Sequence, residues 1–219
     1  MKRAKAVIFD MDGLMLDTQR MATIAWKQAV STFGFQLTDE IVLKLLGRNN
    51  VDANEIIRNE FGPEFPFEDC RKLARKTYSN DMTNTGIPVK AGLLPLLDYL
   101  EKKSMRIAVA TSTAREFTVQ RLERTHLIGR FPVIVTGDEV TRGKPFPDIF
   151  LSASDLLKIP PKNCVVLEDS FSGIQAAFSA RMIPIMVPDL FEPTDEIRSL
   201  AYAVVPSLHE AKKEIEKLC

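Results

Sequence analysis

The 219-residue sequence predicts an α/β protein, a parallel sheet with helices on both faces, interrupted after its first strand by an all-helical insert. Three observations carry that prediction. From Val89 onward, short apolar runs rich in β-formers alternate with segments of helical periodicity. Between Thr18 and about Asn84 no strand-like run occurs. Acidic and hydroxyl residues recur where the predicted strands end.

The elements follow in order. KAVIFD (5–10) is a short apolar run suited to a strand buried on both faces, and Gly13 permits a tight turn after it. From Thr18, the residues Met21, Ile24, Ala25, Ala29 and Phe33 recur at helical spacing up to Gly34. Thr38 then offers a cap, Asp39 and Glu40 an acidic first turn, and Ile41, Val42, Leu45 and Leu46 an apolar face ending at Gly47. Further helical material continues to about Asn84. A Leu-rich helix (93–100) precedes the strand MRIAVAT (105–111), and a helix over 113–125 precedes PVIVTG (132–137). A helix over 148–157 precedes NCVVLED (163–169), and a helix opening at 171–173 precedes IPIMV (183–187).

Composition excludes several classes. Lys plus Arg equals Asp plus Glu at 29 each, so neither a general nucleic-acid binder nor a membrane-surface binder is expected. Cys70, Cys164 and Cys219 show neither metal-ligand spacing nor a disulfide framework, which points to a reducing compartment. The basic start (Lys2, Arg3, Lys5) is followed by an apolar run cut short at Asp10, unlike a signal peptide, and no segment approaches membrane-span length. A soluble, cytoplasmic chain is expected, with a monomer as the default.

In an open parallel sheet, ligands bind outside the carboxyl ends of the strands. Asp10, Thr111, Gly137 and Glu168-Asp169 all fall there and are expected to converge on one crevice. FDMDG (9–13) sets two carboxylates two residues apart, and LEDSFSG (167–173) supplies a second acidic pair. Adjacent carboxylates repel, and a hard cation would relieve that repulsion. VATST (109–113) brings hydroxyls and exposed N–H groups to a strand end, a ready phosphate cradle. RGKPFPDIF (142–150) sets Lys144 before two prolines expected to hold the backbone extended, where a lysine would balance phosphate charge. Each motif alone also has a plain structural account: Asp10 as a strand-exit residue, Thr111 or Ser112 as a helix cap, Asp169 or Ser170 as another, and Lys144 as a solvated loop residue.

Their order and joint placement exceed those accounts. Asp-x-Asp-Gly, a hydroxyl strand end, Lys-Pro and Glu-Asp-Ser together resemble the four-motif signature of the haloacid dehalogenase-like hydrolases. The resemblance covers the whole Rossmann-like part of the chain, residues 1–17 and 84–219. The helical insert, 18–83, is similar to the small cap of the subgroup containing β-phosphoglucomutase and phosphoglycolate-type phosphatases. It implies Asp10 as nucleophile and Asp12 as general acid/base, with Thr111, Ser112 and Lys144 holding the phosphoryl group. It also implies Mg2+ held by Asp10, Asp169 and the Asp12 carbonyl, with Glu168 nearby. The implied activity is a phosphatase acting on a small phosphorylated metabolite, such as a sugar phosphate.

Asp12 separates the reading from dehalogenases and ion pumps, which lack an acid there. The subgroup's phosphoglucomutases carry a cap histidine at the position of Ala22, so the departure argues against the alternative, a phosphomutase. Substrate selectivity is expected from LLGRNN (45–50), where Arg48 would reach an anionic or hydroxylated substrate, a solvated arginine being the equal alternative.

Overall fold

A computed structural model describes residues 4–219, apart from the side chains of Asn50, Thr83 and Thr85; Lys2 and Arg3 lie outside the described residues. The first strand, β1 (Ala6–Phe9), is buried on both faces, as its unbroken apolar run requires. Four helices follow: α1 (Thr18–Thr32), α2 (Asp39–Leu45), α3 (Asn50–Phe61) and α4 (Phe67–Thr85). Strands and helices then alternate through α5 (Leu93–Lys102), β2 (Arg106–Thr111), α6 (Arg115–Arg124) and β3 (Val133–Thr136). The alternation continues with α7 (Asp148–Leu157), β4 (Cys164–Glu168), α8 (Phe171–Ser179) and β5 (Ile183–Met186). A short helix α9 (Asp195–Leu200), an edge strand β6 (Ala203–Val204) and α10 (Leu208–Leu218) complete the chain.

All strand pairs are parallel, in the order β3-β2-β1-β4-β5-β6. The five strands expected from the sequence therefore form one sheet. The sixth, only two residues long, has too little apolar pattern to announce itself. Alternation along the strands sends Val7, Phe9, Val109 and Leu167 to one face, against the Leu93, Leu96, Leu97 and Leu100 row of α5. Ala6, Ile8, Ala108 and Val166 face the other way, onto Phe150 and Ala153 of α7 and Ala176 and Ala177 of α8. Cys164 is buried in this second layer, Cys70 is buried in the helical insert, and all three cysteines are free thiols.

The chain leaves β1 for β2 on one side and later returns to β1's other side as β4. The crevice of this sheet is therefore at the carboxyl ends of β1 and β4.

The four inserted helices bury an apolar cluster of their own, including Ala29, Val30, Val42, Ile57, Phe65 and Phe67. Phe35 meets Phe61 and Phe65 edge-on, at ring separations of 5.6 and 5.0 Å. Thr38 caps α2 as expected, its hydroxyl accepting from the Ile41 N–H, and Asn49 caps α3 in the same way through Asp52. The last insert helix runs to Thr85, past the boundary expected at 83. The two crossings between insert and sheet lie side by side: the Asp17 N–H donates to the Pro88 carbonyl, and the Lys90 N–H to the Met15 carbonyl, each at 2.9 Å. No helix among the described residues is long and apolar enough to cross a membrane.

Candidate active site

Asp10 follows β1, and its N–H extends the ladder by donating to the Leu167 carbonyl at 3.0 Å. That pairing brings Asp10 beside Glu168 and Asp169, at and just past the end of β4. Ligand atoms of the three carboxylates lie within 4.8 Å of one another, and all three residues are buried. Gly13, at φ +93, turns the chain so that its N–H donates to the Leu16 carbonyl, the tight turn its sequence position predicts.

Lys144 enters this acidic group from the loop before α7. It is fully buried, which corrects the solvated-loop alternative, and its ammonium donates to Asp10 Oδ1 and to Glu168 Oε1, each at 2.5 Å. The peptide bond joining Lys144 to Pro145 is cis. Glu168 Oε2 accepts from both the N–H and the hydroxyl of Ser170 at 2.8 Å, so both its oxygens are already engaged. Ser170 also caps α8, its hydroxyl accepting from the Gly173 N–H at 3.1 Å, which leaves Asp169 free of that duty.

The electrostatics follow from burial. Desolvation raises the Asp169 carboxyl well above the usual range, and the neighbouring Glu168 and Asp10 charges add to the rise. Burial likewise raises Asp10, to about 8, with Lys144 opposing and Glu168 and Asp12 reinforcing. Burial alone would lower Lys144, but Asp10 and Glu168 hold its ammonium above the ordinary lysine value. Three buried carboxylates with one lysine leave an excess of negative charge, and an all-oxygen donor set of this kind suits a hard divalent cation.

Asp12 is held differently. Its Oδ1 accepts from the Thr18 hydroxyl and, at 2.5 Å, from Arg121 Nη1, while Oδ2 accepts from the Thr113 hydroxyl at 2.7 Å. None of these three partners was expected from the sequence. Thr113 closes the VATST motif and Thr18 follows the first acidic motif closely, but Arg121 sits in the last turn of α6 without a local signal. Thr111 is buried and its hydroxyl accepts from the Thr113 N–H at 3.2 Å. Neither Thr111 nor Ser112 caps α6, whose N-cap is Ala114, so the capping alternative for both is set aside.

The insert closes over these groups. The Ser112 hydroxyl donates to the Gly47 carbonyl at 2.7 Å, the Ser172 hydroxyl to the Leu46 carbonyl at 3.0 Å, and Arg48 Nη1 to the Lys144 carbonyl at 3.2 Å. Gly47 has φ +71, and a Cβ there would lie 2.3 Å from Ser170 Oγ, so the close approach needs glycine. Arg48 is therefore committed in this closed arrangement to the loop that carries Lys144. A chamber of about 190 Å3 remains, lined by Asp10, Asp12, Thr111, Ser112 and Arg48, with Ala22 on its wall. Asp10, Asp12, Arg48, Thr111, Ser112, Lys144, Glu168 and Asp169 thus border this chamber or the buried carboxylate group next to it, whereas Gly137 lies behind them, its N–H donating to the Thr113 carbonyl at 3.2 Å.

The family model of the haloacid dehalogenase-like hydrolases matches residues 7–187. The chain is 29% identical over 212 residues to a phosphorylated carbohydrates phosphatase of Thermotoga maritima, covering 97% of this chain and 90% of that protein. It is 31% identical over 190 residues to the β-phosphoglucomutase of Bacillus subtilis, covering 84% and 83%. A solved hydrolase structure from Pseudomonas syringae shares the fold, with a TM-score of 0.83 over 98% of this chain and 99% of that one, at 22% identity.

Proposed function

The chain belongs to the haloacid dehalogenase-like hydrolase family, and from that premise we propose that it is a magnesium-dependent phosphatase of small phosphomonoesters, such as sugar phosphates. One observation carries the reading. Asp10, paired with Lys144 at 2.5 Å, shares a chamber with the separately held carboxylate of Asp12 and with Thr111 and Ser112. The Thermotoga maritima relative, named a phosphatase, supports the same class.

The phosphoryl group sits in the small chamber, held by Lys144, the Thr111 hydroxyl and the Ser112 backbone N–H. Asp10 attacks phosphorus while the bond to the leaving oxygen breaks, and Asp12 gives that oxygen its proton. Asp12 then takes a proton from water as the water attacks the aspartyl-phosphate, releasing inorganic phosphate and regenerating Asp10. Asp10, Asp169 and the Asp12 carbonyl would hold magnesium beside Glu168, where it supplies charge neutralisation and orientation for the phosphoryl oxygens. The proposal includes a cytoplasmic monomer with no nucleic-acid or membrane partner, in keeping with equal numbers of basic and acidic residues.

The phosphomutase alternative has support in the Bacillus subtilis relative. Against it, Ala22 lines the chamber and offers no proton-transferring side chain where the mutases carry histidine. The test incubates the protein with β-glucose 1-phosphate and a panel of phosphomonoesters, with magnesium or chelator, with and without glucose 1,6-bisphosphate. Free phosphate that needs magnesium and no bisphosphate is expected. Glucose 6-phosphate formed only with the bisphosphate, and little free phosphate, would replace hydrolase by mutase; full turnover in chelator would remove magnesium from the reading.

Metal binding has a readout without turnover. In the metal-free protein Asp10 and Asp169 titrate above their unfolded values, so the stability they lend at low pH is lost as pH rises. For Asp10 the loss runs from about 4, the unfolded carboxyl value, to about 8. Magnesium favours the ionised carboxylates and should offset that loss. The melting temperature without metal is expected to fall between about pH 5 and about pH 8, and added magnesium to raise it most at the upper end. No magnesium-induced shift at about pH 8 would argue against the site.

A further inference from the structure

A second, larger cavity of about 420 Å3 opens beyond Asp12, between α1 and α4 of the insert and α6 of the sheet domain. It shares Asp12, Ala22, Trp26 and Thr113 with the small chamber, so the two form one continuous space with Asp12 at the junction. A phosphomonoester whose phosphorus faces Asp10 must send its leaving group past Asp12 and into this space.

The charge of that space is one-sided. Four arginines line it, Arg71 and Arg75 from α4 and Arg121 and Arg124 from α6, and Asp12 is its one carboxylate among the described residues. The chain as a whole is neutral, so this concentration is local. Arg121 is spent on Asp12 at 2.5 Å, and Arg71 on the exposed Glu68 at 2.5 Å. Arg75 and Arg124 have no ion pair among the described residues. Tyr78 lines the same space, its ring 5.5 Å from the Arg121 guanidinium.

We propose that the leaving group carries a second anionic group, a carboxylate or a second phosphate, bound by Arg75 and Arg124. Two guanidinium groups drawn from opposite walls match an anion held by charge-assisted forked hydrogen bonds better than a neutral polyol. The volume suits a small metabolite rather than a polymer. The assignment rests on the phosphatase reading, because it takes the phosphoryl end to lie at Asp10, and it makes this chain selective for doubly anionic phosphomonoesters.

The test uses matched pairs that share a phosphomonoester and differ in the distal anion. One pair is 3-phosphoglycerate against glycerol 3-phosphate, for a carboxylate; the other is fructose 1,6-bisphosphate against fructose 6-phosphate, for a phosphate. The anionic member of at least one pair is expected to show kcat/KM at least about tenfold higher, carried by KM. Arg75→Gln with Arg124→Gln should collapse that ratio towards one, and Arg75→Lys with Arg124→Lys should restore part of it. Because the readout is a ratio within one protein sample, partial misfolding does not imitate the result. Equal kcat/KM within both pairs, or a preference that survives the double glutamine variant, overturns this proposal and leaves the phosphatase reading standing. Failure of every phosphomonoester, p-nitrophenyl phosphate included, overturns the phosphatase reading instead. Calorimetric binding of the same pairs to the Asp10→Asn protein then decides the anion site by itself: tighter binding of an anionic member supports it, and equal binding overturns it.

Discussion

Asp10→Asn is expected to lower turnover by at least about a thousandfold, as for other covalent nucleophiles. The substitution preserves size and leaves an oxygen for Lys144, but removes the charge that attacks phosphorus. The same change takes one carboxylate out of a buried group that burial and mutual repulsion already hold far from comfortable ionisation. The variant should therefore fold at least as well as the parent without metal while losing catalysis. Single-turnover phosphate release on the best substrate measures the first effect and urea unfolding the second. Near-normal turnover would mean that Asp10 is not the phosphoryl acceptor.

Lys144→Met is expected to fail in a different way. The lysine is completely buried between Asp10 and Glu168, and methionine, one heavy atom shorter, keeps an unbranched apolar stem while deleting the charge. Removing one partner of a buried ion pair typically costs about 3–5 kcal/mol, because the remaining charges stay behind uncompensated. At pH 7 the full contribution of Lys144 is present: lysine titrates near 10.4 unfolded, and its folded value is higher still. The metal-free variant should be strongly destabilised, magnesium should recover part of the loss, and turnover should fall with the lost phosphate contact. Urea midpoints with and without magnesium measure this. A metal-free variant within about 1 kcal/mol of the parent would show that Lys144 does not balance the acidic group.

Both residues were legible in the sequence, but by different routes. The strand ends were legible because an open parallel sheet gathers whatever follows its strands. Asp10, Thr111 and Glu168-Asp169 could thus be brought together from about 160 residues of separation by topology alone. Lys144 was legible only as one member of an ordered set of motifs, since a lysine beside prolines has no burial signal of its own. Arg121 was not legible. Its role depends on the pitch and placement of α6 against Asp12, and a lone arginine on a largely polar helix has many solvated counterparts. The edge strand, two residues long, left too little pattern to read, whereas α10 does carry an apolar stripe in Leu208, Ala211 and Ile215, all buried in the main core. Arg48 was legible as a loop cation, but its hydrogen bond to the Lys144 carbonyl follows from how the insert rests on the sheet domain.

The side-by-side crossings at Asp17–Pro88 and Met15–Lys90 have an evolutionary consequence. A segment whose two ends leave the scaffold at the same spot can be exchanged for another of different length without disturbing strand order, because the scaffold registers only the distance between its cut ends. Lys90 reinforces that junction by joining Asp17, at 3.0 Å, to Asp189 beyond β5, at 2.6 Å. In the proposed reaction the attacking carboxylate therefore comes from the sheet domain, while the space for the leaving group is walled jointly by the insert and by α6.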